Sequence, residues 1–186
     1  MPTWAWIIII IAGAVVVLAA IAATLGRRRR SEHLQERFGP EYERSVADRG
    51  DQRAAERELA DRERKREKLD IVPLSADARS KYAESWRSVQ TRFVDDPSGA
   101  VVEADRLVTD VMRDRGYPID NFDQRAADIS VDHPDVVENY RAAHEIYLTQ
   151  EKGEAGTEDL RQAFVHYRAL FEELLEAPER AVQEAR

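Results

Sequence analysis

Four histidines, His33, His133, His144 and His166, supply every imidazole in the chain, and there is no cysteine. Without thiols the chain can build no disulfide, no thiolate zinc site and no cysteine nucleophile. No His-Glu-x-x-His pattern is present, and His133 and His144 are separated by a helix start, a spacing that matches no recognised zinc motif. His144 falls on an apolar stripe and reads as a hydrogen-bonded core residue. Carboxylates are densest among Asp95, Asp96, Asp105, Asp110, Asp128, Asp132, Asp135 and Glu138. A two-carboxylate hydrolytic site or a divalent-cation site could be drawn from them. No EF-hand spacing appears, however, and Asp96 and Asp132 hold cap or turn positions. P-loop, dinucleotide, nucleophile-elbow and kinase signatures are absent. The residues therefore assign no catalytic group, no cofactor and no metal.

One loop does carry a recognition chemistry. Arg115, Tyr117, Asp128, Ser130, Asp132 and His133 cluster in a stretch without clear helical patterning. Arginine and tyrosine dominate recognition patches, and loops carry function more often than packed helices do. These six residues form the candidate interaction surface, facing an unidentified protein partner. The competing reading is that Arg115 and Arg141 pair with nearby aspartates and fasten an irregular connection.

The elements around that loop are helical, with no segment showing strand alternation. Four apolar stripes follow one another over 71–176. The first runs through Tyr82, Trp86, Val89 and Phe93 after Ser75. Asp96 and Pro97 read as N-cap and first residue of a second helix carrying Val101, Ala104, Val108 and Val111, stopped at Gly116. Residues 117–134 are expected to be irregular, with about one helical turn at 122–127. Pro134 opens a third helix through Tyr140, His144 and Tyr147, and Thr157 opens a fourth with Leu160, Phe164, Tyr167, Phe171 and Leu174. These four make a small acidic bundle. A flexible tail occupies 177–186.

Ahead of the bundle, residues 27–70 read as a basic block followed by a charged helical connector. Gly39 and Gly50 punctuate it, and Asp51 caps a helix so rich in charge that it is expected to stand in solvent as a spacer. Earlier still, the run from Trp4 to Leu25 is apolar, with Trp4 and Trp6 at one end and Arg27, Arg28, Arg29 and Arg30 at the other. A helix over it would be roughly 33 Å long, the thickness of a hydrocarbon core. It predicts a single transmembrane helix over 4–25 with the tryptophans as interfacial anchors. The arginines then lie on the cytoplasmic side, against the anionic inner leaflet, and the N-terminus outside. Small residues at Ala12, Gly13, Ala14, Ala19, Ala20, Ala22 and Ala23 leave room for a homo-oligomeric contact.

Charge divides along the chain. Residues 27–70 hold 14 basic and 12 acidic side chains, net +2, whereas 71–186 hold 14 basic and 24 acidic, net -10. A domain of that sign repels phosphate backbones, so nucleic acid is not an expected partner.

The wording FVDDP at 93–97, ADRLV at 104–108, RGYP at 115–118, SVDHP at 130–134, ENYRAAH at 138–144 and TEDLRQAFVHYRALFEELL at 157–175 resembles a widespread bacterial family of uncharacterised proteins. An RFGPEY element like that at 37–42 follows a span or a basic segment in its members. The resemblance implies a bacterial origin and a helical fold, and it brings no catalytic residue with it.

The expectation is an all-α protein: one transmembrane helix, a charged helical connector and a bundle of about four helices. Its expected role is a non-enzymatic docking or scaffold module tethered to the bacterial cytoplasmic membrane. Two alternatives stand beside it. One is a membrane-bound metal-dependent hydrolase using the loop carboxylates. The other is an exported envelope protein, cleaved near Ala20-Ile21-Ala22.

Overall fold

The computed structural model describes residues 3–176; within the first helix, side chains are described at Leu18, Ile21, Ala22 and from Thr24 onward. Among these residues there are eight helices: α1 (Thr3–Phe38), α2 (Pro40–Arg49), α3 (Gln52–Arg66), α4 (Ala76–Arg92), α5 (Pro97–Asp114), α6 (Phe122–Asp132), α7 (Val137–Glu151) and α8 (Thr157–Glu176). No strand occurs among them.

The punctuation follows the capping residues. Asp51, Ser75, Asp96 and Asn121 each accept a backbone N–H three residues on, closing the first turns of α3, α4, α5 and α6. At the end of α5, Gly116 N–H donates to Arg113 O at 2.9 Å and Tyr117 N–H to Met112 O at 3.0 Å, the pair of bonds that defines a Schellman ending. Gly116 sits at φ 94, and a Cβ there would lie 2.4 Å from the Asp70 carbonyl oxygen. Glycine is required twice over, by its dihedral and by the chain that crosses it.

The main core joins α4, α5, α7 and α8, the four helices expected from the stripes, with α6 packed beside them. Trp86 of α4 stacks on Phe164 and Phe171 of α8, with centroids 5.0 and 4.5 Å apart. Val101, Ala104, Val108, Val111 and Met112 give α5 one buried face. His144, expected as a hydrogen-bonded core residue, is instead half-buried at the edge of the core: its ring lies on Phe122 with centroids 3.6 Å apart, and its Nδ1 has no hydrogen-bond partner.

Three features correct the expected architecture. Among the described residues no helix is long and apolar enough to cross a membrane. The expected transmembrane helix over 4–25 is corrected accordingly. Its segment is the first part of α1, which runs without a break through Gly26 into the charge-rich stretch Arg27–Arg37 and a packed end at Leu34 and Phe38. The side chains of Trp4 and Trp6 lie outside the described residues, as does the tail 177–186. Second, there are eight helices among the described residues rather than about four: α1, α2 and α3 precede the bundle, and the 117–134 connection contains three turns of α6 where about one turn was expected.

Third, the connector is docked. Leu34, Phe38, Tyr42, Leu59 and Val131 form a second buried cluster that holds α1, α2 and α3 against α6. Phe38 and Leu59 are both fully buried, and Ala55 and Ala60 beside Leu59 let α3 approach closely. Ser31 meets Glu56, His33 meets Glu63, and Arg37 and Arg66 both reach Asp132, so α1 and α3 run in the same direction with α2 reversing between them.

Candidate functional site

Four of the six candidate residues, Tyr117, Asp128, Ser130 and Asp132, come together where α3 lies over α6, and Arg115 and His133 turn toward the end of α8. Five are buried: Arg115, Tyr117, Asp128, Ser130 and His133; Asp132 is partly so. Each finds a partner that the sequence alone did not place beside it. Lys65 Nζ donates to Asp128 Oδ2 at 2.9 Å, and Gln124 Nε2 donates to the other oxygen at 2.9 Å. Arg62 donates to Ser130 Oγ at 3.2 Å, while that hydroxyl donates to Ala127 O at 2.7 Å. Asp132 accepts from the Tyr117 hydroxyl at 2.7 Å and from Arg66, with Arg37 at 3.7 Å. Arg115 reaches away, donating to Leu174 O at 3.1 Å near the end of α8 and lying 5.8 Å from the Tyr117 ring centroid.

Burial sets the electrostatics. It raises the Tyr117 phenol far above its ordinary value, and the Asp132 carboxylate adds to the shift, so the phenol stays a hydrogen-bond donor. Burial also lowers the Arg115 guanidinium. The carboxylates of Asp128 and Asp132 face cations held by α3, so their charge is compensated inside the protein. Among the described residues no group of three or more histidine and carboxylate side chains comes together as a metal-holding cluster.

A neighbouring buried charge makes the docking firmer. Glu41, only 3% exposed, accepts from Arg62 of α3 at 2.8 Å and from both terminal nitrogens of Arg141 of α7 at 2.6 Å. The competing reading pairs Arg141 with nearby aspartates; its partner is instead a glutamate 100 residues away. Glu41 was legible only as an acidic residue in the first turn of α2, where a helix N-terminus welcomes it.

Two of the six residues also line a cleft. Its walls are Glu36 and Arg37 of α1, the segment Val131–Val136, and Glu173 of α8, enclosing about 310 Å³. His133, the last cap of α6, sits in this wall at 6% exposure. Its Nδ1 lies 3.0 Å from Glu173 Oε1, and Nε2 is buried without a partner. An ionised Glu173 can only accept, so Nδ1 carries the proton and Nε2 is left as a bare acceptor. Burial is the main influence on this ring and Arg115 adds to it, outweighing Glu173 and Asp132, so its pKa lies below 6.5. The cleft is thus an acidic hollow with His133 in its wall.

No family model matches the chain, and no curated protein or solved structure matches it either, so the site rests on its own geometry.

Proposed function

We propose that the protein is a non-enzymatic docking module that receives a basic segment of a protein partner in the cleft at His133. The observation that carries this reading is the acidic lining of the cleft, where Glu36, Asp132, Asp135 and Glu173 surround His133. A lysine or arginine side chain entering the cleft would face four carboxylates and could donate charge-assisted hydrogen bonds to them. Arg37 is the one cation in the lining, and it leans toward Asp132. Of the six loop residues, Asp132 and His133 would contact the partner, and Arg115, Tyr117, Asp128 and Ser130 hold the wall in shape.

The arginine block Arg27–Arg30, exposed throughout, forms the second part of the reading. It would draw the module to an anionic bilayer surface, raising its effective concentration toward partners there.

Photo-crosslinking in the cell tests the docking. A photoreactive side chain at Asp135, exposed on the rim, should yield a discrete adduct; one at Glu145, exposed on α7, should not. Asp132→Asn together with Glu173→Gln should remove the adduct. No specific adduct at Asp135, or equal adducts at both positions, would refute the reading.

A further inference from the structure

A second cleft opens at the other end of α3, where Arg27, Arg28 and Arg30 of α1 face Arg53 and Arg57 of α3 across about 390 Å³. All five are exposed. Among the described residues none of them stands in an ion pair, in contrast to Arg49, Arg62 and Arg66 of the same layer. The cleft does contain one carboxylate, Glu56, on which Arg30 acts through space without a close ion pair. Ser31, Tyr42 and Gln52 all donate to Glu56 Oε1 at 2.8 Å. Three neutral donors meet on that oxygen and pin α1, α2 and α3 to one another, and five arginines against one carboxylate line the space beside them. The first turn of α3, at Gln52 and Arg53, adds the positive end of a helix dipole.

We infer that this cleft between α1 and α3 binds a phosphate group, that of an anionic phospholipid headgroup. Guanidinium forks match phosphate oxygens two by two, and convergence from two helices supplies what a single basic run cannot, a site with walls. The source is set by what lies beside it on α1. Leu18, Ile21 and Leu25 are exposed at 65%, 48% and 51%, and their spacing of three and four puts them on one side of the helix, continued by Arg28 three residues later. Acyl chains leaving a bound headgroup would meet that apolar side. The inference deepens the surface association proposed above: it rests on that reading and adds Arg53 and Arg57, which the linear block does not contain.

Calorimetric titration of the full chain in neutral maltoside micelles tests it, with dihexanoyl phosphatidylglycerol, dihexanoyl phosphatidylcholine and glycerol 1-phosphate as probes. Phosphatidylglycerol should bind clearly tighter than phosphatidylcholine. Arg53→Gln/Arg57→Gln should weaken it by about thirtyfold at unchanged helicity and thermal midpoint, given roughly 1 kcal/mol for each of the two basic residues near an anionic surface. Arg53→Lys/Arg57→Lys, which keeps the charge without the fork, should lose less than the glutamine pair, and Arg106→Gln, exposed on α5, should lose nothing. Equal binding of glycerol 1-phosphate would confirm the phosphate site and assign it to a soluble compound. If Arg53→Gln/Arg57→Gln binds phosphatidylglycerol like the parent while substitution of Arg27–Arg30 lowers binding, the cleft is refuted and the block alone survives. If neither set changes binding, both fall.

Discussion

Glu41 shows how much one side chain can decide. A carboxylate that buried survives only because Arg62 and Arg141 supply charge and hydrogen bonds from two other helices. Removing its charge leaves two guanidiniums half-buried and facing an amide. Glu41→Gln should therefore lower unfolding free energy by about 3 kcal/mol, at the lower end of what breaking a buried pair costs; urea titration of the full chain measures it, and a loss no larger than that of an exposed pair would show that the clamp contributes little. Gly116→Ala should also destabilise, by more than about 1 kcal/mol, since its φ of 94 and the Asp70 carbonyl both oppose a Cβ. At His133 the effect depends on pH. Its folded pKa lies below 6.5, so between the two values the unfolded chain binds more protons than the folded one. Stability is then fully present above about 6.5 and declines as pH falls below it. His144 is shifted the same way by burial and adds to the slope. His133→Gln should flatten the decline between about pH 6.5 and 5; a slope identical to the parent's would assign the effect elsewhere.

At the level of the helices, α3 separates what the sequence discloses from what it conceals. The bundle helices α4, α5, α7 and α8 were legible because each carries leucine, valine or aromatic residues at spacings of three and four, between Ser75, Asp96, Gly116 and Thr157. α3 buries Ala55, Leu59 and Ala60, and only Leu59 looks like a core residue. Its buried stripe continues as Arg62 and Arg66, at steps of three and four from Leu59, and those arginines point at Glu41, Ser130 and Asp132. A hydropathy pattern counts them as solvent-facing, so a docked helix reads as a spacer; treating arginine as a stripe residue would have exposed the face. The same blind spot hid the site. Its loop residues were identifiable by type, but their partners sit on α1, α3 and α8, out of reach of any local spacing. The docking makes Phe38 pivotal, because it fills the small cluster between α1 and α6 with no exposed surface. Phe38→Ala should cost about 3–5 kcal/mol. Hydrogen exchange should show α2 and α3 losing protection before α5 and α8; uniform loss across all helices would mean that the layer and the bundle unfold as one.

Across the whole molecule, α3 connects two clefts of opposite character. Its first turns carry Arg53 and Arg57 toward the arginine cleft, and its last carries Arg66 to Asp132, on the rim of the acidic one. Ten residues of helix separate Glu56 from Arg66, about 15 Å. The charge asymmetry of the sequence, +2 over 27–70 against -10 beyond it, thereby becomes an attraction between two layers. Lys65–Asp128, Arg66–Asp132 and Arg44–Glu138 cross from one layer to the other. The exposed pairs are screened by salt and the buried ones much less. Apolar contacts within the bundle are not weakened in this way. Raising ionic strength from about 0.05 to about 0.5 M, which shortens the screening length from roughly 14 to 4 Å, should therefore act unevenly. Amides of α3 should exchange several-fold faster while those of α8 hold or slow, since salt also relieves the repulsion within a chain of net charge -8. Equal changes in both helices would place the apolar cluster at Phe38 and Leu59, and not the ion pairs, in control of how the layer is held.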